Sequence, residues 1–200
     1  RPEAALFLSS GGMVLKGAVI FYFVWQLDLL TRRRQPWTVH RLLQPGPERR
    51  PTRPGLPDYG EFGRFERLIY SAYGWLLLAA LLEMLAGASA LLGFTFPHSG
   101  DAARHAYLLG FVTQLIFGVS VRMLPGIMKK KKIASAKLVD ATFWLGNVST
   151  AFRVLPLLLP MTLLEAVPLT IQMAQVAFAF SGVFGMLAVL GLTINLWKTV

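Results

Sequence analysis

The feature that most constrains this chain is a series of five apolar runs, at about residues 4–30, 68–94, 102–127, 138–159 and 169–197. A helix rises about 1.5 Å per residue, so a run of about 20 residues or more crosses the roughly 30 Å hydrocarbon core of a bilayer. Inside that core every backbone amide and carbonyl must be satisfied within the protein, which an α-helix does by itself. The pattern predicts an all-α, polytopic membrane bundle of five transmembrane helices in one domain, residues 1–200. Composition points the same way, with 54% hydrophobic residues and a mean hydropathy of +0.54, above the range of soluble domains.

The net charge of +10 is gathered into two linkers. Arg32, Arg33, Arg34, Arg49, Arg50, Arg53, Arg64 and Arg67 lie in or beside the stretch 31–66, and Lys129, Lys130, Lys131 and Lys132 lie between the third and fourth runs. Basic loops flanking spans report topology and anionic headgroups, so lipid rather than nucleic acid is the expected partner. Five spans put both linkers on one side of the membrane. The turns at 95–100 and 160–168 carry almost no positive charge. The positive-inside pattern then predicts cytoplasmic linkers and C-terminus, with the N-terminus outside. The sequence has no cysteine, which excludes disulfides, iron–sulfur clusters and thiolate metal sites. It begins at Arg1, as a processed chain or a piece of a longer one does. Its first run is too long for a signal peptide and has no basic leader.

Within the runs, Ser9, Ser10, Gly11 and Gly12 offer a small-residue surface for close helix approach. The Pro-, Gly- and Arg-rich linker 31–66 has no apolar period, apart from a short interfacial helix expected at Trp37–Leu43. Tyr70, Tyr73 and Trp75 read as an interfacial aromatic belt. Asp101 reads as the N-cap of the third span. In that span Ala106, Gly110, Gln114, Gly118 and Arg122 recur every four residues, a ridge read first as helix packing.

Polar groups inside spans are costly, so each is a candidate site. His105 opens the third span, roughly 16 Å from its centre near Ile116 at about 1.5 Å per residue. Two readings stand: an interfacial histidine bonded to a backbone carbonyl, or a functional site. Arg153, in the outer half of span four beyond Asn147 and Thr150, needs an acidic partner or an interface to snorkel to. Arg104 has the same two options. Lys16 and Glu83 lie near the middle of spans one and two and predict a buried charge pair, read as a static structural pair ahead of a proton relay. Asp140 is read as an interfacial counter-charge to the lysine loop. The seven methionines have no repeated spacing and read as core filling. His40 reads as solvated, and His98 is the other histidine on the His105 side.

The stretch RHAYLLGFVTQLIFGVSVRMLP resembles the haem-bearing span of haem-copper oxidase main subunits. There a histidine is followed at the same intervals by Gly-aromatic, Gly and Pro, matched here by His105, Gly110, Phe111, Gly118 and Pro125. With Arg104 before the histidine, Arg-Met-Leu-Pro at the end and NVSTAFRVLPLL in span four, it is still more similar to the NnrS family of haem- and copper-containing membrane proteins. The resemblance covers about Glu66 to Leu196. It implies haem b, a role in nitric oxide response or respiratory electron transfer, and a bacterial inner membrane. It further implies His105 as the iron ligand, His98 as a weaker second candidate, and Arg153 and Arg104 beside the propionates. The chain departs from the family in having five spans where fuller members have about twelve. It also has GIMKKKK where many carry a further histidine, which leaves copper without that ligand. Three histidines do not build a binuclear centre plus a six-coordinate haem. Either the rest of the site lies elsewhere, or the chain is a non-catalytic membrane subunit of a larger respiratory or photosynthetic complex.

Overall fold

The computed structural model describes residues 2–27, 61–94, 99–159 and 168–200. The expected interfacial helix at Trp37–Leu43, His40, His98 and the arginines Arg32, Arg33 and Arg34 lie outside the described residues. The described residues form five long helical elements: α1 (Pro2–Leu27), α2 (Glu66–Leu91), α3 (Ser99–Ile127), α4 (Ala136–Val154, continued by a 3-10 turn Leu155–Leu158) and α5 (Pro168–Thr199). No strand occurs among them. By length and composition α1, α2, α3 and α5 can each cross a membrane. α4 has 19 residues and carries Lys137, Asp140, Asn147 and Arg153, which lower its mean apolarity. It tolerates them because it is packed between α3 and α5.

Each helix packs chiefly on its neighbours in the chain. α1 packs on α2, α2 on α3, α3 on α4 and α4 on α5, with α5 also reaching the second half of α3. The result is closer to a folded row than to a closed ring, so much of α1 and α5 presents apolar side chains outward. The α1–α2 seam does not run through Gly11 and Gly12, which have open space beside them. It runs through buried Ser10, whose carbonyl lies against Gly87, and through Gly17, which lies on Met84. The small-residue surface is real but shifted by a turn, because the helix face is set by the far end of the seam as well.

One end of the row gathers the basic residues. The loop 128–135 turns through Lys129, which has φ +57°. Ser135 caps α4 by accepting from the Leu138 amide at 3.3 Å. Fully buried Asn195 of α5 accepts from the Ser135 amide at 2.9 Å and donates to its carbonyl at 2.8 Å. The Ile133 amide donates to the Glu61 carbonyl at 2.9 Å, which ties the segment before α2 to the same loop. Gly63, at φ +64°, turns that segment against Ala136 and Val139, where a side chain has little space.

Two apolar clusters fill the interior. Phe62, Leu68, Phe117, Val121, Ile133 and Val139 form one at the basic end, joined by Ala188 and Leu192. Ala79, Leu82, Ala102, Ala103, Ala106 and Val154 form the other at the opposite end. Among the described methionines Met13, Met123, Met128, Met173 and Met186 face outward, and only Met84 is half-buried, in the α1–α2 seam against Gly17. An apolar side chain facing lipid is no less stable than one facing protein, so apolarity alone does not say which way it points.

Candidate functional site

α3 is not one regular helix. Ser99–His105 is α-helical, Ala106–Thr113 winds as a π-helix, and Gln114–Ile127 returns to α. The Thr113 hydroxyl donates to the Leu108 carbonyl five residues back, at 2.8 Å. An α-helix advances about 100° per residue, so a four-residue ridge drifts by about 40° at each step. The wider π turn advances less per residue and takes back that drift. Ala106, Gly110, Gln114 and Gly118 therefore all stay buried. The ridge is a packing face: a Cβ on Gly110 would lie 2.5 Å from Trp75, and one on Gly118 would lie 2.8 Å from Ile69. Long π segments are rare, and they occur often at functional sites.

His105 is the last α-helical residue before this segment. Its ring is half-buried and has no hydrogen-bond partner among the described residues. Ser99–His105 packs on α4 and on the 3-10 turn that continues it, which places Arg153 and the end of α4 on the same side. The Arg153 guanidinium lies over the Phe178 ring at 5.3 Å. Arg104 is exposed and held by Asp101 at 3.1 Å. Asp101 is thus not the helix cap, since α3 starts earlier, at Ser99; it spends its carboxylate on the next turn. The described residues contain no group of three metal-ligating side chains.

Lys16 and Glu83 are brought together. Lys16 Nζ lies 2.8 Å from Glu83 Oε2 and 3.0 Å from Oε1. Tyr107, which the sequence reading did not single out, donates to Glu83 Oε2 at 3.2 Å, and Lys16 Nζ stands 4.9 Å over its ring. α1 and α3 thus meet over α2 through one carboxylate. The pair is not sequestered as expected: the side chains are 54% and 21% exposed.

A second polar cluster lies between the two apolar ones, and the sequence reading missed it. Asn147 of α4 accepts from the Trp75 indole at 2.9 Å. Its amide donates to Gln114 Oε1 at 2.9 Å and to the Phe143 carbonyl at 2.8 Å. Ser71 also donates to Gln114 Oε1, at 2.7 Å. Gln114 is fully buried, and its Nε2 has no partner. Trp75 is therefore an interior hydrogen-bond donor, not part of an interfacial belt, and Tyr73 stacks edge-on against Phe111. Asp140 also departs from expectation. It is half-buried, pairs with no lysine among the described residues, and leaves Oδ1 without a partner.

No family model matches the chain, and no curated protein or solved structure matches it.

Proposed function

We propose that this chain is a haem-binding membrane unit in which the His105 imidazole would hold the iron and Arg153 would offer a cation to a propionate. The observation that carries the reading is the half-buried His105 ring, without a hydrogen-bond partner among the described residues, where α3 changes winding. An uncommitted imidazole in a membrane helix is costly without a task. A neutral imidazole nitrogen is the usual protein ligand of haem iron. Arg153 fits the second role, since its planar fork matches a carboxylate and Phe178 holds it by stacking. Arg104 fits less well because Asp101 already occupies it.

The residues fit a haem with one histidine ligand. They do not fit a copper or binuclear centre, for which no ligand group exists among the described residues. A haem held in this way would supply an iron able to bind a small molecule such as nitric oxide. His105 would ligate it and Arg153 would orient it, beside the buried apolar cluster of Ala102, Ala103 and Ala106. The test is a visible spectrum of the purified protein and of His105→Ala. A Soret band at protein stoichiometry that the variant loses supports the reading.

A second reading rests on the open row of helices. Phe7, Leu8 and Trp197 are strongly exposed on its flanks, and α1 packs chiefly on α2. A subunit of a larger membrane complex has such exposed apolar flanks. Co-purification of further membrane subunits, with no chromophore on this chain, favours that reading.

A further inference from the structure

The α2 and α4 backbones stay apart because α3 lies between them, and the two helices meet through side chains such as Trp75 and Asn147. At the basic end this leaves a lateral groove of about 530 Å³ lined by Arg67, Tyr70, Ser71, Phe143 and Trp144. The lining is ordered by depth. Arg67 is in the first turn of α2, and Ser71 is one turn deeper, about 6 Å at 1.5 Å per residue. Phe143 and Trp144 lie about 11 Å inside the start of α4 on the same measure. Trp144 is 61% exposed and stacks edge-on against Phe143 with centroids 5.2 Å apart, so the two rings form one open wall.

We propose that this groove holds an anionic phospholipid, its phosphate at Arg67 and the start of an acyl chain along Phe143 and Trp144. The sequence of cation, hydroxyls, then aromatic wall is the polarity gradient of a lipid entering from the basic end. The lining carries one formal charge, that of Arg67. Exposed Lys129, Lys130, Lys131, Lys132 and Lys137 add a field of the same sign at that end. Asp140, one turn before Phe143, is the acidic group nearest along α4, and it is half-buried rather than open. An arginine at a headgroup is worth about 1 kcal/mol toward an anionic lipid, which is about a fivefold preference. The groove floor is fixed, because Ser71 is held by Gln114 at 2.7 Å.

The experiment uses the full chain in phosphatidylcholine bilayers doped with brominated-chain phosphatidylglycerol. Trp144 emission is read as the difference between the wild type and Trp144→Phe. The expected result is half-maximal quenching at a mole fraction about fivefold lower than with brominated phosphatidylcholine. Arg67→Gln should bring the two lipids level, and Arg67→Lys should keep the preference, which separates lost charge from lost fold. Equal quenching by both lipids in the wild type overturns the proposal. So does a preference that survives Arg67→Gln, or a Trp144 that no brominated lipid quenches because a second copy of the chain covers it.

Discussion

Replacing Asn147 with Leu should destabilise the protein far more than replacing Gln114 with Leu, although both are amides in one cluster. Asn147→Leu removes three interhelical bonds, from Trp75 and to Gln114 and Ser71, the last long at 3.4 Å. Such bonds average about 0.6 kcal/mol each in membrane helices. It also leaves the Trp75 indole N–H without that acceptor, a penalty of about 1–3 kcal/mol. The total is about 3 kcal/mol. Gln114→Leu breaks two bonds, but both donors keep a second acceptor. Ser71 still reaches the Leu68 carbonyl at 3.1 Å, and Asn147 still reaches that of Phe143 at 2.8 Å. The substitution also removes the buried, unpaired Nε2, which returns about 1 kcal/mol. The net change is near zero. A gap of about 3 kcal/mol is more than a hundredfold in the unfolding equilibrium. Reversible unfolding in mixed micelles, followed by far-ultraviolet circular dichroism against the mole fraction of dodecyl sulfate, measures both variants. If Gln114→Leu costs as much as Asn147→Leu, the cluster is not wired as described.

Three further outcomes follow from the geometry. Glu83→Gln should destabilise by about 1 kcal/mol, discounted for the exposure of Lys16, and adding Lys16→Met should recover most of it; a double-mutant cycle with no coupling contradicts the pair. Gly110→Ala should cost about 1–3 kcal/mol because Trp75 has to move, while Gly74→Ala, with open space beside it, should be neutral or slightly stabilising in the same micelle assay. In the cysteine-free chain, a cysteine at Gly100 should be labelled by an impermeant maleimide in intact cells and one at Lys131 only after lysis; the reverse pattern inverts the topology.

The helices and the Lys16–Glu83 meeting could be read in the sequence because apolar length and unpaired charge are one-dimensional signals. Two opposite charges at similar depth leave few other partners. The amide cluster rests on the same logic, since Gln114 and Asn147 lie near the middle of their spans, but Gln114 was absorbed into a small-residue ridge and Asn147 into the surroundings of Arg153. The π segment was not legible: its sequence, AYLLGFVT, is an ordinary apolar stretch. Its winding follows from how Gly110 and Gln114 must meet α2 and α4. Trp75 and the methionines show the same limit. Their composition fits a belt or a core, and only the packing of neighbouring helices decides which face they occupy.

The measurement that tests the central claim most directly is the visible absorption spectrum of the purified chain beside that of His105→Ala, with haem quantified against protein. The account predicts a Soret band near one haem per chain in the wild type, its loss in His105→Ala, and a weakened but present band in Arg153→Gln. A wild type without a Soret band, or a His105→Ala variant with the full unshifted spectrum, contradicts it.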